Sequence, residues 1–238
     1  PHCITRRLTM LISPPFGGGR APVLARNTVA SSQPLATQAG IEALQNGGNA
    51  VDAALATAIT LTVVEPTMNG IGGDGFAILW DGKKLHGLNA SGRAPAAWKP
   101  EYFAGKSAMD LIGWNTVTVP GMVAGWIDLS RKFGKLPFAQ LFKRAIDYAE
   151  NGFPVSPVIA RQWREAIPIL KNQPGFSESF LIDGKAPQAG QIWKYPAQAK
   201  TLKEIAATEG ESFYNGPLAQ SMVDFAQATG GCFTMQDF

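Results

Sequence analysis

The chain has 238 residues, of which 45% are hydrophobic and 16% are charged, and its formal net charge is only +3. These values are typical of a globular protein with a buried core and exclude a largely disordered chain. A net charge this small, with basic residues scattered along the chain, gives no indication of nucleic-acid binding.

Residues that carry metal or nucleophile chemistry are scarce. Cys3 and Cys232 lie far apart and outside any CxxC spacing, which argues against a disulfide framework or a zinc cluster. His2 and His86 are the only histidines, so a multi-histidine metal site and a Ser-His-Asp triad are nearly excluded. We therefore expect no metal and no cofactor.

No secretory signal and no membrane span is visible in the sequence. The apolar patch Leu8–Ile12 is too short for a signal sequence, and Leu55–Val64 is too short to cross a bilayer. We expect a protein that does not bind membranes and that resides in the cytoplasm or the periplasm. The choice between these two compartments stays open.

The first part of the chain is predicted to be irregular. Residues 1–29 are rich in proline, glycine and arginine and show little periodicity, whereas residues 30–238 carry regular patterns. A short strand is predicted at Val29–Ser31, and a helix then begins with Ser32 as its N-cap. Asn46 and the two glycines after it end that helix.

The second predicted helix begins at Asn49 and ends at Glu65 and Pro66. Asp52 stands at its third position, where a carboxylate complements the positive end of the helix dipole. The helix is apolar almost all round and many of its side chains are small. This pattern predicts burial between other elements.

A glycine-rich loop, TMNGIGGDG at Thr67–Gly75, follows this helix. Four glycines in nine residues predict positive φ angles or a close approach of two backbones. The loop leaves a helix, enters a strand and lacks a GxxxxGK[ST] motif. A tight structural turn is therefore favoured over a phosphate site.

A hairpin and a candidate binding residue come next. Strands at Phe76–Trp80 and Leu85–Leu88 flank an Asp81-Gly82 turn, which is a strong hairpin signal. Arg93 follows between a glycine and a proline, where its guanidinium can be presented to a carboxylate. A plain surface arginine is the alternative. In an extended segment, Asn89, Ser91 and Arg93 would face one side.

The second half of the chain is predicted to be mainly helical after a short strand at Thr116–Val119. Apolar residues recur at helical spacing in five stretches: Met122–Phe133, 136–151, Ser156–Ile167, Pro196–Thr208 and Gly216–Thr229. A turn is predicted at Asp183-Gly184. Thr234 is followed three residues later by an acid, which predicts another helix start and a chain that continues. The fold class is α+β.

Several motifs, in this order, resemble the large-subunit region of the γ-glutamyltranspeptidase (glutathione hydrolase) family. They are GGNAVDAALAT, EPTMNGIGGDGF and a segment ending in RAP, and the likeness continues through VTVPGMVAGWIDLSRKFGKLPFAQLFKRAIDYAENGFPVSPVIA. The resemblance covers residues 30–238. It implies an N-terminal-nucleophile hydrolase, a four-layer αββα sandwich, of which this chain would be an incomplete large-subunit portion.

The resemblance also implies a mechanism. The precursor cuts itself, and the new N-terminal threonine of the small subunit attacks a γ-glutamyl amide with its own α-amino group as base. That threonine and the oxyanion-hole glycines would lie outside this chain, so no catalytic residue is expected here and the chain alone is expected to be inactive. The expected partners are the small subunit and a small-molecule γ-glutamyl or related acyl substrate.

The family holds the substrate α-carboxylate with an arginine in a pattern like F-R-E-x-A-P. Counted back from Ala94 and Pro95, that arginine position is occupied by Ser91, and Arg93 stands two residues later. Arg93 and Ser91 are therefore the candidate substrate-binding residues. The departure leaves open a cephalosporin- or glutaryl-type acylase of the same fold, whose acyl group also ends in a carboxylate. A second alternative is a non-catalytic family relic that never acquires a nucleophile.

Overall fold

Helices form most of the core, and two antiparallel strand pairs, one of them a hairpin, lie against them. In the computed structural model, which describes residues 24–238, the N-terminal elements are α1 (Pro34–Gln45), α2 (Ala50–Val64), β1 (Gly75–Trp80) and β2 (Leu85–Ala90). Later elements are α3 (Met122–Phe133), α4 (Lys143–Asn151), β3 (Phe153–Pro154), α5 (Pro157–Leu170), α6 (Phe176–Phe180), β4 (Ile192–Trp193), α7 (Pro196–Ala207), α8 (Glu211–Asn215) and α9 (Pro217–Ala228).

Short 3₁₀ turns supplement these elements at Pro100–Phe103, Trp114–Thr116, Phe138–Phe142 and Met235–Asp237. Within residues 24–238, no helix is both long and apolar enough to cross a bilayer. The predicted lead-in falls mostly on residues 1–23, as do Cys3, His2 and the Leu8–Ile12 patch, so these predictions lie outside the described residues.

The start of α1 differs from the prediction. Residues 29–31 form no strand, and the N-cap is Gln33, whose side-chain oxygen accepts the amides of Leu35 and Ala36. The hydroxyl of Ser32 instead donates a hydrogen bond to the Glu65 carboxylate at 2.6 Å. The Ser32 side chain, which local preference assigns to the cap, is therefore bonded to a residue 33 positions further along the chain.

The start of α2 confirms the prediction and adds to it. Asn49 and Asp52 form a reciprocal capping box. Asp52 is fully buried, and its carboxylate also accepts the amides of Lys135 at 3.1 Å and Leu136 at 3.2 Å. One carboxylate therefore joins the beginning of α2 to the turn that follows α3.

The hydrophobic core surrounds α2, which packs against α1, α3 and α4. Most of α2 is buried as predicted, although Ala54 is exposed on one side. The largest fully buried side chains include Ile59, Val63, Phe142, Leu202 and Trp163. A smaller cluster of Val119, Val223, Ala226 and Phe233 lies beside it.

The β1–β2 hairpin confirms the predicted pairing, with Phe76 opposite Asn89 and Trp80 opposite Leu85. At the turn, the Asp81 carboxylate hydrogen-bonds His86, at 2.7 Å, and the Lys83 and Lys84 amides. These hydrogen bonds lower the pKa of Asp81 to about 2, and the one with His86 has the largest effect. The histidine therefore has a structural partner in the turn.

Two other predictions need correction. The predicted strand at Thr116–Val119 is wrong, because Trp114–Thr116 is a 3₁₀ turn and only an isolated hydrogen bond follows it. The helix predicted from Leu136 begins as a 3₁₀ turn and becomes α-helical at Lys143. The β3–β4 pairing, α6 and α8 were not predicted. The turn at Asp183-Gly184 is confirmed by an isolated bridge across it.

Candidate substrate-binding site

The segment Ser91–Arg93 follows β2 and turns sharply. Gly92 has a φ of +78°, and a Cβ at this position would overlap the carbonyl oxygen of Val119, so only glycine fits without strain. The Asn89 side chain accepts the Ser91 amide at 3.0 Å. The prediction that Asn89, Ser91 and Arg93 share one side of an extended segment is therefore wrong, because the chain is not extended at Gly92.

A second backbone segment fixes this turn. The Val119 amide donates to the Arg93 carbonyl at 2.9 Å, and the Thr118 hydroxyl donates to the Ser91 carbonyl at 3.3 Å. Gly121 packs so closely that an added Cβ would overlap the carbonyl oxygen of Ala90. The Arg93 backbone is therefore held by a neighbour that lies about 25 positions further along the chain.

The glycine-rich loop reaches the same place. The Gly73 carbonyl accepts the amides of Gly121 and Met122, both at 3.1 Å, and so satisfies the start of α3. None of the loop glycines has a φ in the left-handed region, so the first of the two predicted alternatives does not occur. A Cβ added at Gly75 would lie 2.9 Å from the Met122 side-chain sulfur, whereas one added at Gly73 would lie 3.3 Å from the backbone carbonyl oxygen of Gly70.

The Arg93 side chain is exposed and, within residues 24–238, forms no salt bridge. Its Nη2 lies 3.4 Å from the carbonyl oxygens of Asp237 and Phe238, at the long end of hydrogen-bonding distance. Ser91 is half-buried beside it. The guanidinium therefore retains donors for an additional acceptor.

The segment Thr234–Phe238 closes one side of the site. Asp237 is buried and accepts hydrogen bonds from the Ala96 amide at 2.7 Å and from Thr234, through its amide at 2.8 Å and its hydroxyl at 2.9 Å. Burial raises the pKa of Asp237, but these hydrogen bonds and the nearby Arg93 outweigh it and hold the pKa below its ordinary value. The predicted helix start at Thr234 is confirmed as a capped 3₁₀ turn.

Sequence reasoning located some of these residues and missed others. Arg93 and Ser91 do lie together, and the spacing of Thr234 and Asp237 gave the capping box. No sequence signal linked Asp237 to Ala96, or Val119 to Arg93.

Among residues 24–238, no group of histidine, cysteine and acidic side chains could hold a metal ion.

The sequence profile described as gamma-glutamyltranspeptidase matches residues 36–238. One relative is the glutathione hydrolase-like YwrD proenzyme of Bacillus subtilis, 38% identical over 90% of this chain and 41% of the relative. Another is the oxamate amidohydrolase proenzyme of Klebsiella pneumoniae, 38% identical over 85% of this chain and 40% of the relative. The chain thus spans about two fifths of the length of these curated relatives.

Solved structures agree with these matches. Cephalosporin acylase from Bacillus halodurans superimposes with a TM-score of 0.82 and 43% identity, over 93% of this chain and 44% of that one. Gamma-glutamyltranspeptidase from Pseudomonas nitroreducens, complexed with L-DON, gives a TM-score of 0.83 and 33% identity, over 90% of this chain and 64% of that one.

Proposed function

The chain belongs to the gamma-glutamyltranspeptidase family and has part of its N-terminal-nucleophile hydrolase fold, and from this premise we propose that it forms the large-subunit region of an enzyme that hydrolyses or transfers γ-glutamyl groups. The donors would be glutathione-type amides. Related proteins are named proenzymes, which supports a precursor that cuts itself and supplies a small subunit.

The proposed reaction is acyl transfer through the N-terminal threonine of that small subunit. The threonine hydroxyl attacks the amide carbonyl carbon, and the threonine α-amino group accepts the hydroxyl proton. The amine leaves with that proton, and an ester between the acyl group and threonine remains. Water, or a second amine, then cleaves the ester and frees the threonine. In this scheme the present chain binds the acyl group.

The observation that carries the proposal is an exposed arginine that forms no salt bridge among the described residues and stands two positions after the family's arginine position. Arg93 is exposed, and its backbone is fixed by the turn at Gly92 and by Val119. A guanidinium held in this way can bind a substrate carboxylate through two parallel hydrogen bonds. The Ser91 hydroxyl would contribute a further hydrogen bond to the same substrate.

The outer face of the hairpin supports an association with the small subunit. Phe76, Ile78 and Trp80 are 67%, 83% and 62% exposed and lie in a row on β1, and Leu85 lies opposite Trp80 and is 61% exposed. A contiguous apolar face of this kind marks an interface. We propose that a sheet of the small subunit covers it, as a sandwich fold requires.

The test uses the full-length, processed protein and γ-glutamyl-p-nitroanilide. Replacing Arg93 with alanine is expected to raise KM about 10- to 100-fold, the value of a hydrogen-bonded charge pair. The matched control is Arg161→Ala, since Arg161 is exposed on α5 and has no salt bridge within the described residues. An unchanged KM in Arg93→Ala would reject the carboxylate-binding role.

A second candidate is an acylase of the same fold with a different acyl group. Two observations favour it: the cephalosporin acylase is 43% identical, against 33% for the gamma-glutamyltranspeptidase, and Ser91 replaces the family arginine. Turnover of glutaryl- and γ-glutamyl-p-nitroanilide separates the two, because the γ-glutamyl compound carries an added α-amino group. Failure to turn over either compound, in a protein without a processing-site threonine, would indicate a non-catalytic relic.

A further inference from the structure

The start of α3 is held by a side chain from a distant helix. The Tyr214 hydroxyl, on α8, donates to the Pro120 carbonyl at 2.8 Å and accepts the Ala124 amide at 2.9 Å. The N-cap residue Gly121 provides no side-chain cap. Tyr214 therefore satisfies one of the amides that a helix leaves free in its first turn.

The hydroxyl stays in the form that these two hydrogen bonds require. Burial raises the pKa of Tyr214 to about 12, although the hydrogen bond from Ala124 acts in the opposite direction. The phenol is therefore protonated at neutral pH, so that it can donate to Pro120 and accept from Ala124 at the same time.

The helix that carries Tyr214 is itself fixed in the core. Phe213, the preceding residue, is 2% exposed, and its ring packs edge-on against the Tyr214 ring with centroids 5.1 Å apart. Ser212, also buried, hydrogen-bonds the Glu204 carboxylate on α7. The phenol therefore offers a firm point of attachment rather than a mobile surface contact.

Pro120 lies between the two residues that touch the candidate site. On one side the Val119 amide donates to the Arg93 carbonyl, and on the other Gly121 packs against the backbone of Ala90. A shift of the Pro120 carbonyl would therefore move both contacts together.

We propose that Tyr214 is a positioning residue for the segment Ser91–Arg93 and acts on it through Pro120. The direct contacts run from the Tyr214 hydroxyl to Pro120, from its neighbour Val119 to the Arg93 carbonyl, and so to the guanidinium. The expected effect of Tyr214 on substrate binding rests on the function proposed above for Arg93. Its expected effect on the position of the Ser91–Arg93 backbone is independent of that function.

The test compares Tyr214→Phe with Tyr148→Phe in the full-length protein. The Tyr148 hydroxyl bonds Gln38 on α1, at 3.5 Å, instead of the start of α3. The main readout is residue-resolved amide hydrogen exchange at Val119, which reports how well Arg93 is docked. Exchange at Val155 is the reference, because its amide donates to Gln191 at 3.0 Å and reports opening elsewhere.

In Tyr214→Phe, exchange at Val119 relative to Val155 is expected to rise about tenfold, as the loss of a buried hydrogen bond implies. Tyr148→Phe should leave this ratio unchanged. A general loss of stability would accelerate both amides and so would not raise the ratio. Faster exchange at Ala124 alone, with Val119 at the wild-type ratio, would overturn the proposal.

Kinetics then separate this inference from the proposed function. KM for a γ-glutamyl or glutaryl anilide is expected to rise about threefold or more in Tyr214→Phe while kcat stays within about twofold, because the variant alters binding. A raised exchange ratio with unchanged KM supports the positioning of the segment and overturns the substrate role of Arg93. Absence of turnover in the wild type overturns the proposed function, and the exchange ratio still decides the role of Tyr214.

Discussion

Replacing Asp52 tests how strongly one buried carboxylate joins two parts of the core. It is fully buried and accepts the amides of Asn49 at 2.8 Å, Lys135 at 3.1 Å and Leu136 at 3.2 Å. In Asp52→Ala these three amides lose their acceptor. Each buried amide without a partner costs about 1–3 kcal/mol, so for three amides the free energy of unfolding is expected to fall by about 3 kcal/mol or more.

Asp52→Asn is the finer perturbation, because it keeps the size of the side chain and one acceptor oxygen. Its amide group places N–H donors against backbone N–H donors, and a loss of about 2 kcal/mol or more is expected. The assay is urea unfolding of the full-length protein, followed by tryptophan fluorescence. The control is Glu165→Gln, an exposed carboxylate on α5 with no hydrogen bond within the described residues.

The reasoning fails if Asp52→Asn unfolds at the same urea concentration as Glu165→Gln. That result would mean that the amides of Lys135 and Leu136 find other acceptors or water when the carboxylate is removed. A lowered unfolding free energy in Asp52→Ala alone would show that packing, and not the charge, holds the two segments together.

Three further outcomes are expected. Gly92→Ala should lower thermal stability more than Gly82→Ala, because both have positive φ but only Gly92 would also overlap a neighbouring carbonyl; equal effects would contradict this. Asp237 has a lowered pKa in the folded state. Its contribution to the free energy of unfolding is therefore complete above its ordinary pKa of 3.8 and is lost as the pH falls through its folded-state pKa. Acid unfolding curves of wild type and Asp237→Asn should therefore converge only at low pH. Ile78→Thr with Trp80→Thr should raise the soluble yield of the isolated chain and reduce recovery of assembled full-length protein; unchanged yields would argue against an interface.

The elements that were predictable depend on short-range chemistry. The Asp81-Gly82 turn located the hairpin, and helical spacing gave the bounds of α3 at Met122–Phe133. The Asn49 cap needed only its own first turn. In each case the residues that decide the structure lie within a few positions of one another, where sequence patterns are informative.

The misses depend on distant partners. Ser32 is a good local N-cap, but its hydroxyl donates to Glu65, and Gln33 takes its place. The candidate site shows the same limit. The sequence indicated Arg93, but the turn at Gly92 that orients it packs against the backbone of Val119. Contacts between remote segments decide these conformations, and a single sequence does not display such contacts.

The hydrogen bond from Val119 to the Arg93 carbonyl also closes the base of a long loop, whose first residues, as far as Ala96, still contact the site through Asp237. The chain leaves the site after Arg93 and returns to it at Val119, so the intervening residues form an excursion whose base is closed. Doubling the length of such a loop costs only about 0.6 kcal/mol. A change of loop length between residues 97 and 113, which lie beyond the Ala96 contact with Asp237, is therefore expected to leave the arginine in place.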